Sequence, residues 1–170
     1  MKKFEDELLD FVDEKDNVIE VRKRSEIYAE NSPNFRAINV FIKNKLGKIW
    51  IPRRVETKKL FPLALDASVG GHVKSGETYL QAFERELKEE TGLDLQKINY
   101  KVLGHLNPYI DGVSAFQTVY EIEYEHTPDY NKEEFVGYYW LTPYEILEKI
   151  KSGEKHKSDL PKLIKIFYLN

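Results

Sequence analysis

The sequence predicts an α/β fold in which a mixed, partly antiparallel sheet lies between helices. Short runs rich in Ile, Val, Phe, Tyr and Trp recur at 37–42, 48–53, 100–106 and 115–125 and read as strands. An unbroken Glu-rich segment over 78–91 closes on Gly92 and reads as a helix, with two more over 143–150 and 160–169. Strands interleaved with helices imply layered packing around a shared core.

Taken in order, residues 11–24 read as two short strands around the polar turn Glu14-Lys15-Asp16-Asn17. Ser25 is positioned to cap a short helix through Glu30 that ends near Pro33. The strands 37–42 and 48–53 are expected to pair with each other through the turn Asn44-Lys45-Leu46-Gly47. In the helix over 78–91, Leu80, Phe83 and Leu87 form the stripe expected to face the core, and Gly92 sits where a left-handed C-cap belongs. In 115–125, Phe116, Thr118, Tyr120, Ile122 and Tyr124 share one face on a period of two. A last strand over 136–140 leads through Leu141-Thr142-Pro143 into a helix that ends near Gly153, followed by the amphipathic 160–169.

Composition narrows the function classes. At 170 residues, 41% hydrophobic and 32% charged, the chain is the size of one globular domain, here 1–170 with a short N-terminal hairpin extension. No apolar run approaches the roughly 20 residues of a membrane helix, and the N-terminal segment has no apolar signal core, so a cytoplasmic location is the default. The net charge of −3 argues against bulk nucleic-acid binding. With no cysteine, disulfides, thiolate metal sites and thiol nucleophiles are excluded.

The chemistry concentrates between Gly71 and Leu93. Gly71, Glu77, Arg85, Glu86, Leu87, Glu89, Glu90, Gly92 and Leu93 follow the pattern G-x5-E-x7-R-E-U-x-E-E-x-G-U, U being aliphatic. Seven fixed residues at that spacing would coincide by chance in on the order of one window in a billion. Glu86, Glu89 and Glu90 stand at i, i+3 and i+4, so a helix presents all three on one face. Such a face repels itself unless a cation compensates it. Mg²⁺ favours carboxylate oxygens, shares diphosphate oxygens and can activate a water for in-line attack on phosphorus. Gly70-Gly71 permits close backbone approach with a carbonyl free for a metal, and Arg85 either orients these carboxylates or forms a plain surface ion pair.

This pattern is the Nudix box, and the chain resembles the Nudix hydrolases over about 37–147. The resemblance implies the family's α/β/α sandwich and the cleavage of a diphosphate bond (pyrophosphatase chemistry) in a small phosphorylated metabolite. The commonest family substrate is a nucleoside diphosphate linked to another group. It implies Mg²⁺ (Mn²⁺ as alternative) held principally by Glu86, Glu90 and the Gly70 carbonyl, with Glu89 a further ligand or the base and Arg85 orienting the acidic residues. A further carboxylate is implied in the loop Asn131-Lys132-Glu133-Glu134-Phe135, for which Glu134 is chosen over Glu133. A homodimer is also implied.

Outside the box, Phe35-Arg36-Ala37, Ile51-Pro52-Arg53-Arg54, Lys58-Lys59 and Ala67-Ser68-Val69-Gly70-Gly71-His72 are similar to type I isopentenyl-diphosphate isomerases. Gly70 stands where those enzymes carry a catalytic cysteine, and Phe35 where they carry a ligand histidine. The intact box and these two departures point to hydrolysis rather than isomerisation or non-catalytic ligand sensing. Arg53 and Arg54 are candidates to clamp a substrate phosphate or carboxylate, against simple solvation of a strand end. His72 is either a proton carrier or a polar loop residue. Tyr109, Tyr138 and Tyr139 are either base platforms or packing residues.

Overall fold

The computed structural model describes residues 6–170, so Met1–Glu5 of the N-terminal segment lie outside it. Strand β1 (Leu8–Val12) and strand β2 (Val18–Lys23) form an antiparallel hairpin. Its turn is set by Asp13, whose Oδ1 accepts the N–H groups of Lys15 and Asn17 at 2.8 and 2.9 Å. Helix α1 (Arg24–Ala29) starts one residue before the expected cap. Lys23 takes the N-cap position as the strand runs straight into the helix, and the Ser25 hydroxyl donates to Asp6 instead.

The main sheet contains β3 (Arg36–Lys43), β4 (Ile49–Arg54), β5 (Val69–His72), β6 (Tyr100–Leu106), β7 (Phe116–Glu123) and β8 (Phe135–Leu141). Its order is β6-β7-β3-β4-β8, with β5 on β3. The β3–β7 pair is parallel and the others are antiparallel, which makes the sheet mixed as expected.

The expected full-length pairing of β3 with β4 does not occur. They meet only at Lys43 and Ile49, after which β4 runs along β8 and β3 takes β5 on its freed edge. Ser68 fills the opening between them: its hydroxyl accepts the Ile42 N–H at 2.9 Å and donates to the Trp50 carbonyl at 2.5 Å. One buried side chain thereby satisfies two backbone groups that a regular ladder would have paired. Strand β5 itself, Val-Gly-Gly-His, has too little strand propensity to be seen in the sequence.

Helix α2 (Tyr79–Thr91) covers one face of the sheet, packing Ala82, Phe83 and Leu87 against Ile38, Val40, Ile42, Tyr120 and Ile122. Helices α4 (Pro143–Lys151) and α5 (Leu160–Tyr168) cover the other, where Ile146, Leu160, Leu163 and Ile164 meet Phe41, Ile49, Ile51 and Val119. Strand β7, central and covered on both sides, is buried at Gln117 and Val119 as well as on the face read from its alternation. Leu80 departs from its expected place: it is 44% exposed, and Tyr79 fills the inward position of that first turn. A short helix α3 (Pro108–Asp111) joins β6 to β7.

The hairpin is tied to the start of α2. Asp10 accepts from the Ser75 hydroxyl at 2.8 Å and the Gly76 N–H at 3.3 Å, while Asp16 accepts from Arg36 at 2.6 Å and Tyr79 at 2.8 Å. No helix among the described residues is long and apolar enough to cross a membrane.

Candidate active site

Helix α2 is fixed at both ends by local chemistry. Thr78 and Gln81 form a reciprocal capping box, with bonds of 3.1 and 2.9 Å, and Gly92 closes the helix at φ 69°. Phe83, stacked on Tyr120 at 4.4 Å, and Leu87 set its rotation. Glu86 and Glu90 therefore point toward β5, with Glu86 12% and Glu90 9% exposed, whereas Glu89 is 56% exposed.

Strand β5 lies against these carboxylates. The Gly70 N–H donates to Glu90 at 3.2 Å. A Cβ at Gly71 would collide with the Glu86 carboxylate, so the missing side chain makes room for a protein group, not only for a ligand.

Arg85 is the hub of this region. Its Nε and Nη2 donate to Glu77 at 2.7 and 2.9 Å, Nη1 to Glu86 at 2.6 Å and Nη2 to the His72 carbonyl at 3.0 Å; Glu89 lies 3.6 Å away. Glu77 also accepts the Lys74 N–H at 2.9 Å. Through these bonds Arg85 ties the β5–α2 loop, the end of β5 and two helix carboxylates together. That geometry is an orienting one, and it gives Glu77 a function its fixed position in the box did not reveal.

The electrostatics are those of excess buried negative charge. Burial pushes the Glu90 carboxyl well above its usual range, and the charges of Glu86, Asp66 and Glu134 add to this. Burial likewise raises Glu86 to about 7; Arg85 opposes the shift, and Glu89 and Glu7 reinforce it. Glu134 thus lies within the electrostatic reach of Glu90, its own carboxylate paired with Lys58. Glu133 is exposed at the loop turn.

Among the described residues no three such groups converge at ligand spacing. Glu86 turns to Arg85, Asp66 to Arg54 and Lys157, and Glu134 to Lys58. In kind, the donors fit a hard divalent cation. Two carboxylates, both raised in pKa by burial and by neighbouring carboxylates, carry charge that such an ion relieves.

The two candidate phosphate arginines part company. Arg53 makes a fork with Glu154 at 3.1 Å and donates to the Leu63 carbonyl at 2.9 Å and Tyr139 at 3.3 Å. Arg54 instead donates to Asp66 at 2.8 Å, beside the acidic pair, and to the Leu60 carbonyl at 3.2 Å.

His72 packs between Tyr28 and Phe35. Its Nδ1 stands 3.2 Å from Glu7 and its Nε2 2.7 Å from the Tyr28 hydroxyl. Burial lowers its pKa, while the His72 contact holds Glu7 down at about 2. Tyr138 packs on Trp50 and Tyr130, Tyr139 lies under Arg53 and Lys149, and Tyr109 donates to Asn34 at 2.7 Å.

Sequence reasoning missed Asp66, Glu7 and Tyr28. For Asp66 a signal was present: a lone charge inside the apolar run Leu63-Ala64-Leu65-Asp66-Ala67 is the pattern of a buried, paired carboxylate. Glu7 and Tyr28 reach His72 only through the docking of the hairpin and α1, which carries no local signature.

Residues 33–162 match the model of the NUDIX domain. The chain is 54% identical over 164 residues, 96% of its length and 97% of the relative's, to an uncharacterized Nudix hydrolase of Nostoc sp.. It is 41% identical over 163 residues, 96% and 95% of the two chains, to a Nudix hydrolase of Deinococcus radiodurans. The crystal structure of DR0079 from Deinococcus radiodurans superposes with a TM-score of 0.92 at 41% identity, covering 95% of this chain and 99% of that one.

Proposed function

The chain belongs to the Nudix family and is a Nudix hydrolase, and from that premise we propose Mg²⁺-dependent hydrolysis of a diphosphate bond. The substrate class we favour is a nucleoside diphosphate linked to another moiety. The observation that carries this reading is the buried pair Glu86 and Glu90, seated on two glycines of β5 and steered by Arg85.

Glu86, Glu90, Glu89 and the Gly70 carbonyl would hold the cation, Mg²⁺ or alternatively Mn²⁺. When bound, that ion supplies charge neutralisation at the diphosphate and a water of lowered pKa. The protein's own part is positional. Arg85 fixes the rotamer of Glu86 and tethers the β5–α2 loop through Glu77. Glu90 and Glu134, whose charges act on each other, are the carboxylates we assign to accept a proton from an attacking water. Arg54, held at the mouth by Asp66, is placed to meet a substrate phosphate, whereas the guanidinium of Arg53 is committed to Glu154.

The similarity to the isomerases does not extend to their chemistry. Gly70 contributes only backbone, and Phe35 is a buried ring against His72, so neither supplies a proton at carbon. Retention of every box carboxylate favours turnover over ligand sensing. A homodimer is the expectation from the resemblance, and light scattering of the purified protein tests it.

The reading is tested by incubating the protein and its Glu90→Gln variant with Mg²⁺ and a panel of diphosphates, scoring released phosphate after a coupled phosphatase. Cleavage of a nucleotide class by the wild type, absent in the variant, is the expected result. Equal cleavage by both would remove Glu90 from the mechanism.

A further inference from the structure

The loop between β4 and β5 has an unusual local structure. Phe61 and Leu63 sit at φ 51° and 58°, in the left-handed region that bulky residues rarely adopt. The chain there is held from several directions: Arg54 binds the Leu60 carbonyl at 3.2 Å, the Arg54 N–H binds the Ala64 carbonyl at 2.9 Å, and Lys58 pairs with Glu134. The effect is to present Leu60 and Phe61, 53% and 41% exposed, at the surface. Beneath them opens a cleft of about 420 Å³ lined by Phe61, Pro62, Ala64, Glu154, Lys155 and His156. A ring wall with a carboxylate and an imidazole at its edge suits a planar, hydrogen-bonding group of nucleoside size.

The cleft adjoins the acidic site. Leu65 bridges to His156, and the next residue of each segment, Asp66 and Lys157, form an ion pair at 3.6 Å. Asp66 also holds Arg54, and its charge reaches Glu90. A chain of contacts therefore runs from the cleft wall at His156 through Lys157, Asp66 and Arg54 toward the charge of Glu90. A nucleoside diphosphate runs in the same sense, from base through sugar to phosphates.

We propose that Phe61 and the cleft beneath it form the base-recognition site of this enzyme, with Lys157 and Arg54 leading the diphosphate to Glu86 and Glu90. This rests on the hydrolase reading above. Phe61 is a specificity residue and takes no part in bond cleavage.

The test uses the full-length protein as wild type, Phe61→Ala and Phe61→Tyr. Isothermal titration with nucleoside monophosphates reads the cleft without turnover. Steady-state hydrolysis of nucleoside diphosphates, set against the ring-free isopentenyl diphosphate, reads it with turnover. Phe61→Ala is expected to weaken nucleotide binding and raise KM for ring-bearing substrates by about tenfold or more, the effect of losing one stacking platform. Its kcat and its KM for the ring-free compound stay at wild-type values, and Phe61→Tyr behaves as wild type. Wild-type nucleotide affinity in Phe61→Ala overturns the proposal, as does absence of nucleotide binding by the wild type or an equal loss toward ring-free substrate. If the wild type cleaves no diphosphate while monophosphate binding still depends on Phe61, the hydrolase reading fails and the base site stands.

Discussion

The α2–β5 unit and the β4–β5 loop with its C-terminal partners handle charge in opposite ways. In the first, Glu86 and Glu90 stand together with excess negative charge, and the one guanidinium there reaches Glu86 but not Glu90, so both pKa values rise. In the second, charges are matched: Arg53 with Glu154, Arg54 and Lys157 with Asp66, Lys58 with Glu134. An uncompensated buried pair costs stability until a cation arrives, whereas a compensated charge, buried like Asp66 or partly solvated like Glu154, does not wait for one. On the proposed reading, the first arrangement serves chemistry, and in the second the pairs made by Arg54, Lys157 and Lys58 hold the recognition surface.

The comparison is broken most sharply at Glu90. Glu90→Gln should lower kcat by about 10³-fold, as expected for loss of a group that stabilises the transition state. The same change should leave the metal-free protein as stable as wild type or more so, because a repelling buried charge is gone; thermal melting in EDTA checks this. Gly71→Ala should be nearly as damaging to activity, since its methyl group displaces the Glu86 carboxylate. The overpacking should also cost ~2 kcal/mol in denaturant unfolding.

A pH series sharpens the contrast. The folded pKa of Glu86, pushed up to about 7, lies above its unfolded value of about 4.5, so its contribution is fully present below that value. Stability should therefore decline as pH rises from about 4.5 through about 7 in metal-free protein, and added Mg²⁺ should flatten the slope. Melting temperatures with and without EDTA measure it, and Glu86→Gln should reduce the slope to the part that Glu90 contributes.

The smallest effects belong to the arginines. Arg54→Ala should raise KM about tenfold with kcat little changed. Arg53→Ala should leave both constants near wild type and cost ~1 kcal/mol or less, because its fork serves Glu154 in a partly solvated pair.

The same contrast explains what was legible in the sequence. The chemistry of α2 lies within Gly71–Leu93, where helical spacing alone places Glu86 and Glu90 together and Gly92 at the cap. Arg85 was visible, but whether it oriented carboxylates or merely solvated a surface depended on Glu77 and the His72 carbonyl, which only the folded loop brings to it. The proposed recognition site draws on residues 54, 61, 66, 154 and 157, joined by a bridge between β5's approach and the segment before α5. No spacing rule reports such long-range contacts. Likewise β3 and β4 looked like an ordinary hairpin, because nothing local announces that Ser68 will bridge them. Leu80 was misplaced for a simpler reason: at the first turn of α2 the apolar stripe drifts, and Tyr79 supplies the inward group.

Mn²⁺ titration of metal-free wild-type and Glu90→Gln protein, followed by electron paramagnetic resonance, tests the central claim most directly. If the α2 carboxylate pair facing β5 is the cation site, the wild type removes the free-ion signal and the variant loses at least tenfold in affinity while its circular dichroism is unchanged. Equal Mn²⁺ affinity in both proteins would contradict the account.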